Sequence, residues 1–416
     1  MTTFGSLSFP LAAYRVRQGN GFPTCVPARK VFIVCPNSRS SPLCLEWESR
    51  LGSMHSFRTA ESELAFFSHG AIQREDTTIA AHTVAAGSKV PQLLLYRTPE
   101  TIRSILEQRA TRDPKTGKPI VYGSSDAYSQ RRYVDETWDA QWKNANGVRI
   151  WCVDRRTGDI IHLGGQYTWG DCHVVGAIID ELIAAKILPV DGDYGQGVVA
   201  QMVWVTDGMP WFEEHILKKF PSAIIVLDVF HLFGHIATFA AAAYGKGTAA
   251  ARRFREQAYE ATTGAPKEPK TKHKVRRGHS KGWRAEFLAC MRLSTMRQRR
   301  QSTTNAEALL RLVEGLELAS EFEEARADLV GYIKNNAYRM DYGMYLQHGY
   351  QIGSGAMEAF HPVAGQQRMK RSGPGWRPEA AQAIWNLRLL RLVDRWHEFW
   401  GQFAVEETPQ TMSEAA

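Results

Sequence analysis

The chain has 416 residues, 44% hydrophobic and 23% charged, a balance normal for a soluble globular protein and a length that points to two or three units sharing a core or docked together. Lys and Arg number 51 against 43 Asp and Glu, a net +8 that favours polyanionic partners without establishing one. Six cysteines (Cys25, Cys35, Cys44, Cys152, Cys172, Cys290) form no C-x-x-C pair and no compact His/Cys spacing, which argues against a disulfide framework and a zinc module.

The first 45 residues hold no acidic residue, several arginines and many Ser and Pro. That composition superficially matches a transit peptide; an unstructured or wrongly assigned extension ahead of Met54 is the preferred reading, and residues 1–56 are expected to be poorly ordered. Over 57–115, "ESELAFFSHGAIQREDTTIAAHTVAAG" carries apolar residues at helical spacing split by His69-Gly70, and "TPETIRSILEQRA" opens with the helix-start signal Thr98-Pro99. Short helices around a glycine turn fit a helix-turn-helix DNA reader and equally an ordinary helical bundle.

Strand signals dominate 116–236. "PIVYGSSDAY" is a β-type run, and "GVRIWCVDRRTGDIIHLGGQYTW" holds two β-rich runs around a hairpin turn. "HVVGAIIDELIAAKI" reads as a helix, "AQMVWVTDG" as a short buried strand, "PWFEEHILKKF" as an amphipathic helix, and "SAIIVLDVFH" as a buried strand running into a helix. The order predicts an α/β fold, a mixed five-stranded sheet with helices on its faces. The most apolar stretch, "AIIVLDVFHLFGHIATFAAAAYG", is broken by Asp228, His231 and His235 and is a poor membrane span.

From 237 to 349 strand signals vanish, and "TTNAEALLRLVEGLELASEFEEARADLVGYIKNN" has helical periodicity. This segment reads as a helical insertion, interrupted by a basic loop over 266–284 that contains Lys272, Lys274, Arg276 and Arg277. In 350–402, "QIGSGAMEAFHPVAGQQRMKRSGPGWR" leads into a closing amphipathic helix, "PEAAQAIWNLRLLRLVDRWHEFW", and 403–416 is expected to be a disordered tail.

The chemistry rests on three acidic residues. Asp207 stands where an apolar strand meets a glycine turn; an Asp-Gly turn residue is the common occupant there, but the carboxyl end of a buried strand is also where open α/β sheets place ligands. Asp126 ends "PIVYGSSD" in the same way, with Asp154 as a rival that begins the polar turn "DRRTGD". If their strands are neighbours, Asp126 and Asp207 converge and repel, a conflict that a divalent cation removes. With Glu358 as a third oxygen donor the set suits two Mg²⁺ or Mn²⁺ ions about 3.5–4 Å apart. Gly353-Ser354-Gly355 launches the helix bearing Glu358, with Ser354 as its expected cap, and lacks a P-loop lysine. Arg368, Lys370 and Arg371 follow Glu358 by roughly three helical turns, with Arg377 beyond, positions suited to backbone phosphates.

This trio, with "VLDVFH" and "IGSGAMEAFHPVAGQQRMKRSGPGWRPEAAQAIWNLR", resembles the DDE transposases of bacterial insertion sequences, in particular the ISKra-type group related to Mutator-like transposases, over about residues 60–400. The resemblance implies a ribonuclease-H-like catalytic domain with an all-helical insertion ahead of the glutamate, and maps the catalytic and metal-binding residues onto Asp126, Asp207 and Glu358. It also implies a supporting acidic residue and histidine after the fifth strand, here Asp228 and His231, which brace the site or contact the DNA end, or simply pair with each other. Double-stranded DNA (terminal inverted repeats and target) and a homodimer or larger synaptic assembly are the implied partners, in the cytoplasm at the nucleoid.

Overall fold

The computed structural model describes residues 40–133, 139–171, 173–209, 213–263, 305–370 and 375–406. Its centre is a sheet of five strands, β1 Ile120–Tyr133, β2 Ala140–Val153, β3 Ile160–Trp169, β4 Gln201–Thr206 and β5 Ile224–Leu227, in the order β3-β2-β1-β4-β5. The first three are antiparallel neighbours, while β4 runs parallel to β1 and β5 parallel to β4. This is the mixed five-stranded sheet that the element order predicts, consistent with the ribonuclease-H-like fold that the resemblance implies. β1 and β2 are longer than expected: their ladder runs from Tyr122↔Trp151 to Tyr133↔Ala140, so Asp126 lies within a long hairpin arm and not at its end.

Side chains along each strand alternate between two cores, as the pleat requires. Ile120, Tyr122, Trp151, Val203 and Val205 belong to one core; Val121, Ile150, Cys152, Met202 and Trp204 belong to the other. Both sheet faces are therefore covered, which suits the near-continuous apolar sequence of β4.

The N-terminal helices α1 Pro42–Met54, α2 Phe57–Phe67 and α3 Asp76–Ser88 pack together around Cys44, Ala60, Leu64, Ile72 and Ile79, followed by α4 Pro99–Gln108. The side chains of Ser41, Ser56 and Thr98 cap α1, α2 and α4, each accepting a backbone N–H that the first turn leaves without a helical partner. After β3, α5 His173–Ala184 provides the crossover that a parallel β4 demands. The other core holds α6 Val229–Tyr244, α7 Ala249–Thr263, α8 Asn305–Glu314, α9 Glu323–Asn336 and α10 Tyr342–Gln347, a helical insertion between β5 and α11 Gly355–His361. The chain closes with α12 Pro378–Leu392 and α13 Trp396–Glu406. No described helix is long and apolar enough to cross a membrane.

Several expectations need correction. Residues 42–54, assigned to a poorly ordered extension, form α1, which is fastened to the C-terminal part of the chain: the Arg388 guanidinium donates to Ser53 O at 3.1 Å. The closing helix is two helices, broken at Asp394, whose φ is 59°, and α13 continues to Glu406, into the expected tail. Among the described residues of "PWFEEHILKKF", Glu213–Leu217 form a π-helical turn. α3 packs against α12, where Asn386 Nδ2 donates to Gly87 O at 3.1 Å.

Arg368 is the main correction among the basic residues. It is only 5% exposed, its Nε donates to Gly52 O at 3.0 Å, and its guanidinium lies 4.7 Å from the Phe57 ring centre and 4.8 Å from that of Trp376. The charge is used to join α1 to the segment after α11, and it does not present to a phosphate. Arg368→Ala should lower the free energy of unfolding by about 2–4 kcal/mol, because it removes a buried charged donor and its aromatic packing, and should leave the salt dependence of DNA binding unchanged. Urea titration and binding isotherms at several salt concentrations check both halves.

Candidate active site

Register brings the first two carboxylates together. The parallel ladder between β1 and β4 has Ser124↔Val205 as its last pair; two residues further along each strand stand Asp126 and Asp207. Asp228 immediately follows β5, the next strand over, so Asp207 and Asp228 stand at the carboxyl ends of β4 and β5, level with Asp126 inside β1. They line one cleft of about 350 Å³ together with Ser124, Ser125, His231, His235, Ser354 and Glu358.

Glu358 reaches this edge because the chain returning from the insertion is fastened to β5. Val229 N donates to Ile352 O at 3.0 Å, and Ser354 Oγ donates to Asp228 Oδ2. Gly353 permits the approach: a Cβ there would lie 2.6 Å from the Phe230 ring. Ser354 precedes α11 without capping it through its side chain, contrary to expectation, since its hydroxyl is committed to Asp228. Asp228 in turn caps α6, accepting from Phe230 N at 2.8 Å. Its partners are thus Ser354 and a helix N-terminus, and among the described residues no hydrogen bond joins it to His231.

Asp207 is the residue of an Asp-Gly turn and also lines the cleft. Oδ1 accepts from Met209 N at 3.1 Å, as an Asx turn does, and Gly208 takes φ 92°. The insertion steadies this turn: Tyr332 on α9 donates its hydroxyl proton to Asp207 O at 3.1 Å and stacks on His235, ring centres 3.8 Å apart. His231 and His235, one helical turn apart on α6, have ring centres 5.7 Å apart on the cleft wall.

Asp126 is held from the opposite side. His361 Nε2 lies 3.0 Å from Asp126 Oδ2, and Tyr167 Oη lies 2.5 Å from His361 Nδ1. Asp126 Oδ1 accepts from Ala127 N at 2.7 Å. The rival Asp154 is away from the cleft, where its carboxylate takes two donors from Arg109, at 2.9 and 2.7 Å, and Arg156 N at 2.9 Å.

Electrostatics match this crowding. Loss of hydration raises the Asp207 pKa above the usual aspartate value, and the Asp126 charge adds to the rise. Asp228 is likewise raised, chiefly by burial; the hydrogen bond from Ser354 opposes the shift, and the Glu358 charge adds to it. Burial lowers the His235 pKa, and proximity to His231 lowers it further.

Oxygen donors prevail in the cleft, where four carboxylates and the hydroxyls of Ser124, Ser125 and Ser354 stand beside the imidazoles of His231 and His235, donor types compatible with a hard divalent cation. The spacing is open, however: among the described residues no three His, Cys, Asp or Glu side chains are gathered closely enough to hold one ion. Of the expected phosphate contacts, Lys370 and Arg377 are exposed while Arg368 is buried; Lys272, Lys274, Arg276, Arg277 and Arg371 lie outside the described residues. The sequence reading missed His235, Tyr332, Tyr167 and His361. Two of these had a signal: His235 is four residues from His231, and His361 three from Glu358, both helical neighbours.

No protein-family model matches the sequence, and no curated protein matches it. Among solved structures the chain is similar to the Drosophila P element transposase strand transfer complex, at 12% identity and a TM-score of 0.27, over 87% of this chain and 80% of that one. A likeness at that level carries no argument about function.

The Asp207 shift has a stability consequence whose sign is fixed. A carboxyl whose folded pKa is raised binds more protons folded than unfolded, so its contribution declines as pH rises from the ordinary aspartate value through the folded one. Asp207→Asn, which keeps an oxygen for Met209 N–H, should therefore be more stable than wild type at neutral pH in chelator-treated buffer. The difference should shrink as pH falls toward the ordinary aspartate value. Urea unfolding across that range tests this, and a variant less stable than wild type at pH 7 contradicts it.

Proposed function

We propose that this chain is a metal-dependent DNA strand-transfer enzyme, a DDE transposase of the ISKra-type group, which cleaves at the ends of its element and joins the freed 3′ hydroxyls to target DNA. The observation that carries the reading is that Asp126, Asp207 and Glu358, drawn from three distant parts of the chain, line one cleft. In this reading Asp126, Asp207 and Glu358 hold the ions, and Asp228 braces the loop that launches the helix of Glu358. Two bound Mg²⁺ or Mn²⁺ ions supply activation of the attacking oxygen and charge compensation at the leaving one. Bound cations would offset the mutual repulsion of the carboxylates. Exposed Lys370 and Arg377 contact backbone phosphates, and the basic 266–284 segment adds to DNA affinity. Two element ends are brought together in a dimer or larger assembly.

Asp207→Ala and Glu358→Ala should each abolish cleavage of duplexes carrying the terminal sequences that flank the coding region, while leaving binding to the same duplexes largely intact. Unaltered cleavage by both variants overturns the assignment. Cleavage by wild type irrespective of terminal sequence would identify a ribonuclease-H-fold nuclease or resolvase instead. Wild-type chain that binds these duplexes but never cleaves them with Mg²⁺ or Mn²⁺ would mark a silent DNA-binding descendant.

Binding should also weaken linearly in log salt as phosphate counterions are displaced. Lys370→Ala should reduce the magnitude of that slope by about one. An unchanged slope removes Lys370 from the phosphate contacts.

A further inference from the structure

Asp126 and Glu358 are 232 positions apart in the sequence, yet a single short helix serves both. α11 begins beside Asp228, carries Glu358 in its first turn and ends at His361, whose imidazole bonds Asp126. His361 is 7% exposed and its ring is enclosed by Tyr128 and Tyr167, with ring centres 5.4 and 5.9 Å away. We infer that His361, oriented by Tyr167, is a positioning residue that fixes the carboxylate of Asp126 relative to Glu358, so that both are presented to cations as one unit. The inference rests on the proposed function and adds a role for residues outside the acidic set.

Hydrogen-bond directions support the assignment. An ionised carboxylate only accepts, so the proton at the 3.0 Å contact is on His361 Nε2. In the neutral ring Nδ1 is then an acceptor, and the buried phenol of Tyr167, 2.5 Å away, is the donor that fills it. The chain of donors runs one way, from Tyr167 through His361 to Asp126. With Ala127 N–H on Oδ1, each oxygen of Asp126 has one protein donor and keeps a further lone pair for the cleft.

Packing holds the relay rigid. Tyr167 stacks on Phe360, the neighbour of His361, with ring centres 5.3 Å apart. After His361 the helix widens into a π-turn, Pro362–Gln366, and the backbone at Gly365 passes against the Tyr128 hydroxyl and the Trp385 indole, which are themselves hydrogen-bonded at 2.9 Å. Outer groups that orient a ligand commonly change metal affinity by about 10- to 100-fold when removed.

The test compares wild type with Asp126→Ala, His361→Ala, His361→Gln and Tyr167→Phe. Mn²⁺ affinity is read by electron paramagnetic resonance in the absence of DNA, and the imidazole tautomer by ¹⁵N NMR of metal-free protein. His361→Ala should weaken Mn²⁺ binding by about 10-fold or more, and His361→Gln, which retains an N–H near the Nε2 position, should recover much of the loss. Tyr167→Phe should shift the ¹⁵N signature of His361 away from the Nε2–H form and weaken Mn²⁺ less than His361→Ala does. Should His361→Ala fail to fold, the Gln and Phe variants decide the matter by the same readouts: wild-type affinity and an unshifted ¹⁵N spectrum in Tyr167→Phe overturn the inference. If Asp126→Ala loses Mn²⁺ but His361→Ala binds it within about two-fold of wild type, the positioning role alone is wrong. If Asp126→Ala binds Mn²⁺ as wild type does, the proposed function fails, and this inference falls with it.

Discussion

The junction between β5 and the segment that returns from the helical insertion is where the molecule has to solve its hardest placement problem. Ser354 and Asp228 are 126 positions apart, and nothing in the covalent chain sets their separation. Closing a long excursion costs entropy that grows only logarithmically with its length, so the insertion is tolerated as long as a local lock defines where the chain re-enters. That lock is compact: a backbone bond from Val229 to Ile352, a hydroxyl from Ser354 to Asp228, and a glycine that lets Phe230 close over the backbone. Glu358 is one helical turn past it, so its position at the sheet edge follows from the lock and not from the path of the preceding helices.

The same junction explains how the cleft accumulates negative charge. The parallel register sets Asp207 and Asp228, which follow β4 and β5, beside Asp126 within β1 whether or not their charges agree. Burial and mutual repulsion raise Asp207 and Asp228, and the fold answers with donors at fixed positions: Met209 N–H, Phe230 N–H and the Ser354 hydroxyl. These contacts offset part of the cost and leave the rest as a local instability, the arrangement expected where function and stability pull in opposite directions. The insertion takes part as well, because Tyr332 holds the Asp207 turn and stacks against His235.

Much of this was legible in the residues, and the legible parts share a cause. "AQMVWVTDG" shows an apolar run ended by Asp-Gly, a local pattern whose meaning is set by the strand itself, and the order of strand and helix signals suffices for the sheet. What depended on distant contacts was not legible. Arg368 sits in a cationic run and reads as a phosphate ligand until Gly52 O, 316 positions earlier, is found against it. Pro42–Met54 looked unstructured because its neighbours upstream have no acidic residues, yet Ser53 O and Gly52 O meet arginines from the far end of the chain. The break at Asp394 is invisible to periodicity, since both halves continue a helical pattern and only the left-handed backbone there separates them.

Each aspartate of the cleft is braced by a side chain from elsewhere in the sequence: Asp126 by His361, 235 positions away; the Asp207 backbone by Tyr332, 125 away; Asp228 by Ser354, 126 away. Contacts of such separation form late, because the entropy of bringing their segments together must be met before the bonds repay it. The strands alone, whose register brings Asp126 and Asp207 side by side, would leave two unbraced carboxylates in mutual repulsion. Only the complete fold, with the insertion docked and α11 locked to β5, gives each one a defined orientation. For a protein proposed to cut and join DNA, that dependence couples competence to completed folding: a partly folded chain could hold the acidic residues in its sequence and still lack the site.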